Sequence, residues 1–172
     1  MKTTLLIACM LVSLQLAAQT NTLTPCSSPE AQQFDFWIGD WNITYSDTAH
    51  ATNHVEKIMN DCTVQENFND PHKNYMGKSW SVYNANYKHW QQTWVDNGGG
   101  YIALTGGMQG DSMILITAER TVPTNISSTG KMISRMVYYN ITKDAFDWDW
   151  ESSIDGGITW KSNWLLHYSR KS

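Results

Sequence analysis

The sequence predicts an all-β protein, a single closed antiparallel up-and-down barrel of about ten strands with a short helix before it. Three observations carry that expectation. Short segments of alternating polarity recur from residue 39 to residue 168, each bounded by Asn, Asp, Gly or Pro. No helical period long enough for a parallel crossover lies between them. Finally, a barrel removes the exposed edges that so many short strands would otherwise leave, and its interior holds side chains or one small ligand.

Residues 1–18 stand apart from this pattern. Lys2 gives a positive start, Leu5 to Leu16 is mostly apolar, and Ala17-Ala18 offers a small-residue exit. That is the layout of a secretory signal peptide, too short to span a membrane. Leu6-Ile7-Ala8-Cys9 resembles a lipoprotein box but comes too early, because the apolar run continues past Cys9. The expected destination is therefore the periplasm or the extracellular space. Residues 19–33 read as a lead and a short helix, opened by the capping Ser28 and by Pro29 at the first helical position. Residues 34–172 read as the barrel domain.

The elements follow in order. Phe34, Phe36 and Trp37 form an apolar plug, and from Gly39 the chain alternates, with Trp41, Ile43 and Tyr45 on one face. Residues 53–59 alternate weakly, and Asn60-Asp61 turns the chain. Cys62, Val64, Glu66 and Phe68 share the next face. In 75–83, Gly77, Ser79 and Ser81 oppose Met76, Trp80 and Val82. The segment 90–96 places Trp90, Gln92, Trp94 and Asp96 together, before the turn of Asn97 and three glycines. Residues 101–105 exit through Gly106-Gly107, and 113–119 is bounded by Gly110-Asp111 and Pro123. Residues 132–141 are apolar on both faces except for Arg135, whose direction the pattern leaves open. Phe146, Trp148 and Trp150 oppose Asp147, Asp149 and Glu151. Asp155-Gly156-Gly157 is a hairpin signal, after which Trp160, Trp164, Leu166 and Tyr168 share a face.

Charge and cysteine usage exclude some functions. The whole chain carries a formal net charge of −4, and losing residues 1–18 with Lys2 makes it more negative by one. With no basic run, neither nucleic acid nor an anionic membrane surface is a fitting partner. Cys26 and Cys62 remain once Cys9 has left with the signal, and an isolated pair in an exported protein reads as one disulfide. Catalytic signatures such as Gly-x-Ser-x-Gly and His-Glu-x-x-His are absent from the sequence. His50 and His54 lie four apart, but in a loop and strand start that spacing has no metal geometry. His167 falls opposite the inward set of the last strand. The sequence therefore calls for no metal and no cofactor.

The candidate site comes from the aromatic weight, nine Trp and eight Tyr. Two rings separated by an amide and finished by a carboxylate, as in 90–96, suit either a hydrogen-bonded core network or a pocket lining. Trp41, Trp90, Trp94, Trp148 and Trp150 are expected as walls, with Tyr83 beside them. Glu66, Gln92 and Asp96 would orient a ligand or tie the barrel together, and Arg135 is the only strand-interior arginine with apolar flanks that could pair with a buried carboxylate.

Several of these residues also carry a family likeness. Phe34-Asp35-Phe36-Trp37-Ile38-Gly39-Asp40-Trp41 resembles the opening motif of a family of uncharacterised exported bacterial proteins with a lipocalin-like (calycin) barrel. Asp61-Cys62 with Glu66, Trp90-x-Gln92-x-Trp94-Val95-Asp96, Arg135, and the run from Trp150 to Trp160 match in the same order. Phe68 and Tyr138 stand where the family pattern has tryptophan, and Trp148 where it has a polar residue. The resemblance implies a lipocalin-like barrel and an exported home, and brings no activity with it. The reading that results is a barrel binding a small apolar or aromatic molecule. The alternatives are a structural or interaction barrel without ligand, and an enzyme using Glu66 or Asp96 for proton transfer. The oligomeric state is left open.

Overall fold

The computed structural model describes residues 26–46 and 50–172. The expected signal peptide at 1–18 and the first part of the lead lie outside the described residues. Eleven strands follow two helical turns: β1 (Gly39–Thr44), β2 (His50–Ile58), β3 (Thr63–Asp70), β4 (Tyr75–Asn84), β5 (His89–Asp96), β6 (Tyr101–Gln109), β7 (Ser112–Thr117), β8 (Arg120–Thr121), β9 (Lys131–Tyr139), β10 (Ala145–Ser153) and β11 (Lys161–Arg170). Each of β1 to β7 pairs antiparallel with its neighbour in sequence, β7 pairs with β9, and β9, β10 and β11 follow in turn. β11 returns to β1, so ten strands close an up-and-down barrel. The two-residue β8 only edges the start of β9.

Most faces are those the alternation predicts. Trp41 and Ile43 of β1 are fully buried. In β4, whose inward side the alternation left open, Ser79 and Ser81 are fully buried while Met76 and Trp80 face outward. β9, apolar on both faces in sequence, resolves with Ser134, Met136 and Tyr138 buried and Arg135, Val137 and Tyr139 on the outer face. Two local features depart from the pattern. β6 runs on through Gly106-Gly107 to Gln109 instead of ending at 105, because Gly106 lets the backbone of β7 approach: a Cβ there would lie 2.0 Å from the Ile114 carbonyl oxygen. In β11, Trp150 is opposite Trp164 but Glu151 is opposite Ser162, so Asn163 is an extra residue. This bulge reverses the side-chain parity, and Trp160 leaves the face of Trp164 to lie under the outward Arg135 guanidinium, 4.0 Å away.

The two rims of the barrel differ. One carries the short turns 59–62, 85–88, 110–111 and 140–144. The N-terminal segment closes this rim. Ser28 accepts from the Ala31 N–H, Pro29–Gln32 and Asp35–Trp37 form two 3₁₀ turns, and Phe34 and Trp37 enter the barrel. Phe34 meets Trp90 edge-on at 4.8 Å and Tyr138 at 5.5 Å, and Phe36 meets Phe146 at 5.6 Å. The Trp90 indole donates to the Glu30 carbonyl and the Gln33 side chain. The Cys26–Cys62 disulfide fastens this plug to the β2–β3 turn. The opposite rim carries the loops 71–74, 97–100, 118–130 and 154–160. Among the described residues, no segment plugs it.

Candidate functional site

Below that unplugged rim lies a cavity of about 480 Å³, within the range of small-molecule sites. Its walls are aromatic because inward positions of five strands carry rings at the same height: Phe68, Tyr75, Trp94, Trp148, Trp150 and Trp164. Trp148 and Trp150 stack with planes 11° apart, and Trp164 meets Trp148 edge-on at 6.0 Å. Small residues of β4 let this lining seat. Gly77, Ser79 and Ser81 are inward below Tyr75, and Ser79 donates to Glu66. The Trp94 indole lies directly over Gly77, where a Cβ would come within 2.0 Å of the ring. Met136, Tyr138, Leu166 and Tyr168 line the cavity's deeper part.

Among the described residues, Glu66 is the one carboxyl that lines this cavity. It is buried, and both its oxygens are held by neutral donors: Asn53 Nδ2 at 2.7 Å from Oε1, and Ser79 Oγ at 2.6 Å from Oε2. No cation is within ion-pairing distance among the described residues. Burial raises its pKa to about 7, against the smaller opposing pull of the Ser79 and Asn53 hydrogen bonds. The same burial, with the nearby Glu66 charge, pushes the Tyr138 and Tyr168 hydroxyls well above their ordinary value.

Asp96 does different work at the rim. Oδ1 accepts from the N–H groups of Gly98 and Gly100, and Oδ2 accepts from the Tyr75 hydroxyl at 3.1 Å and the Trp94 indole at 3.2 Å. It thus fixes two cavity walls to one turn. The Gly100 N–H, followed by Trp94, Gly98 and Tyr75, outweighs desolvation and holds its carboxyl below the ordinary range. Lys73, from the β3–β4 turn, lines the mouth with its ammonium 4.3 Å from the ring centres of both Tyr45 and Trp164.

Of the ten residues read from sequence, Glu66, Trp94, Trp148 and Trp150 line the cavity, and Asp96 braces its rim. The other five are placed elsewhere. Trp90 belongs to the plug contacts, with Tyr83 packed against it. Trp41 donates to the Trp37 carbonyl and lies beneath the Arg170 guanidinium at that same end. Gln92 is buried against Ser81 and does not reach the cavity surface. Arg135 points outward and pairs with Glu151, so it is not the partner of Glu66. Sequence reasoning had the inward face of β11 but did not assign Trp164 and Tyr168 to a site. Asn53 and Ser79 needed the register of β2, β3 and β4, which sets both beside Glu66. Lys73 sits in a turn and left no periodic signal.

The fold and this geometry define the class: a closed antiparallel barrel, plugged at one end, with an aromatic cup at the other. In comparison with known proteins, no family model matches the chain and no curated protein matches it.

Proposed function

We propose that this protein is an exported, lipocalin-like barrel that takes up one small, largely apolar or aromatic molecule in the aromatic cup. The observation that carries the reading is the cavity of about 480 Å³ itself, walled by aromatic rings at the end of the barrel opposite the plug. Apolar walls supply affinity, and one convergent polar group, Glu66, supplies orientation. The likeness of the motifs to the exported calycin-like family supports the same reading, as do the apolar leader and the Cys26–Cys62 disulfide. No helix among the described residues is long and apolar enough to cross a membrane. The outward faces of β2 and β10 carry His54, Glu56, Asp147 and Glu151, which suit water rather than lipid.

Titration with the neutral fluorophore N-phenyl-1-naphthylamine tests this. Ile102 of β6 also lines the cavity. Saturation at one equivalent is expected, lost when Ile102→Trp fills the cavity while the melting temperature holds. Absence of saturation, or saturation that survives Ile102→Trp, overturns the reading. A second reading, proton transfer by Glu66, is favoured by the raised pKa of that one carboxyl. It would require a turnover lost in Glu66→Gln with probe affinity retained.

A further inference from the structure

Resting on the ligand-binding reading, we infer that the ligand carries a protonated amine, seated against Glu66 with its apolar body between the tryptophans. The geometry argues for it in three steps. Glu66 is a carboxyl turned toward an apolar cavity, and its two protein partners, Asn53 and Ser79, are neutral donors that each occupy one oxygen. Each oxygen keeps a further lone pair. A buried carboxylate without a cation is costly, and a ligand that brings the cation removes that cost. The surrounding groups agree. Glu66 on β3 is faced by Asn53 from β2, Ser79 and Tyr75 from β4, Tyr138 from β9 and Tyr168 from β11, all without positive charge.

The walls point the same way. Indole faces attract cations, and the cup already shows this at its mouth, where the Lys73 ammonium lies over Tyr45 and Trp164. A carboxylate ligand would instead place a second negative charge beside Glu66, where low dielectric makes repulsion strong. A neutral ligand would leave the Glu66 charge as it stands. Only the ammonium gains from both the carboxylate and the rings.

The test uses three probes with one ring: 2-naphthylmethylamine, 2-naphthylmethanol and 2-naphthoate, titrated calorimetrically into the purified protein. The amine is expected to bind at least about tenfold more tightly than the alcohol, as a charge-assisted contact in a dry site should provide. Glu66→Gln is expected to weaken the amine by roughly 100-fold and the alcohol at least about tenfold less than that, so that the preference for the amine is lost. Should that variant fail to fold, the wild type alone decides. Amine binding near pH 6.5 should release a proton from Glu66, seen as a buffer-dependent heat, and alcohol binding should not. Equal or tighter binding of the alcohol or the naphthoate overturns the amine inference and leaves the cavity reading standing. If none of the three binds while N-phenyl-1-naphthylamine does, the amine inference fails alone. If no probe binds, both fail.

Discussion

The two ends of the barrel are built from the same material and arrive at opposite results. At the plugged end, Phe34 meets Trp90 and Tyr138 edge to face, and Trp37 meets Tyr138 and Trp41 meets Phe146 in the same way. All six rings are buried in one core cluster. At the open end, Trp94, Trp148, Trp150 and Trp164 are no less aromatic and surround a cavity. The rings do not make the difference. A helical segment fills one end, and among the described residues no such segment enters the other. Ring count alone therefore does not separate a core from a site.

Truncating one ring at each end should measure that difference. Phe34→Ala is expected to cost about 4 kcal/mol, because Phe34 is fully buried and the disulfide-tethered plug cannot collapse into the void. Trp150→Ala is expected to cost about 1–2 kcal/mol, since one side of that ring already faces open cavity. Probe binding should show the reverse order, surviving Phe34→Ala below its melting temperature and failing in Trp150→Ala. Urea denaturation and the naphthylamine titration on both variants check this. Equal stability losses would show that the cup is packed like the plug.

This contrast also explains what could be read in advance. Alternation identified the barrel, the inward face of β10 and the small face of β4, because each depends only on period two along one strand. It placed Trp90 and Trp94 on one face correctly, yet they serve different ends of the molecule. Four residues along a strand is some 13 Å, enough to pass from plug to cup, and the sequence does not mark where the plug stops. The turn of Trp160 to the outside depends on the bulge at Asn163, which interrupts the parity that every other inference used. The Arg135–Glu151 pair required the register of β9 on β10, where the two residues stand directly opposite. The neutral cradle of Glu66 required three neighbouring strands in register.

Glu66 provides a smaller effect with an unusual sign. Its carboxyl ordinarily titrates near 4.5 and here near 7. Between those values the folded protein keeps a proton that the unfolded chain has already lost, so stability falls as pH rises from about 4.5 to 7 and is level above that. The full drop is on the order of 3 kcal/mol. Glu66→Gln should abolish this slope, even though the amide set against Asn53 Nδ2 costs some stability at every pH. Thermal melts from pH 4.5 to 8 compare the two, and an unchanged slope in Glu66→Gln would assign it to another group. A saturating amine should shift the wild-type profile too, raising stability most above pH 7, where Glu66 is ionised.

Asp96 should respond in the opposite direction. Its pKa is lowered in the fold, so the stability it lends is present above the ordinary aspartate range and lost as pH falls below it. Asp96→Asn changes one atom and removes an acceptor. An amide nitrogen cannot accept, so either the two glycine N–H groups or Tyr75 and Trp94 lose their partner. If the amide oxygen stays with the glycines, whose backbone cannot turn away, the wall residues are released. The expected loss at neutral pH is then about 1 kcal/mol, since both walls are only partly buried and water can replace the bond. The effect on binding should exceed the effect on folding, because Tyr75 and Trp94 are fixed at the mouth through this single carboxylate oxygen. A weakened probe affinity with a melting temperature within a few degrees of wild type would place Asp96 as a brace for the cup. A large drop in stability with affinity retained would place it in the barrel's own framework, alongside Trp90 at the plugged end of the same strand.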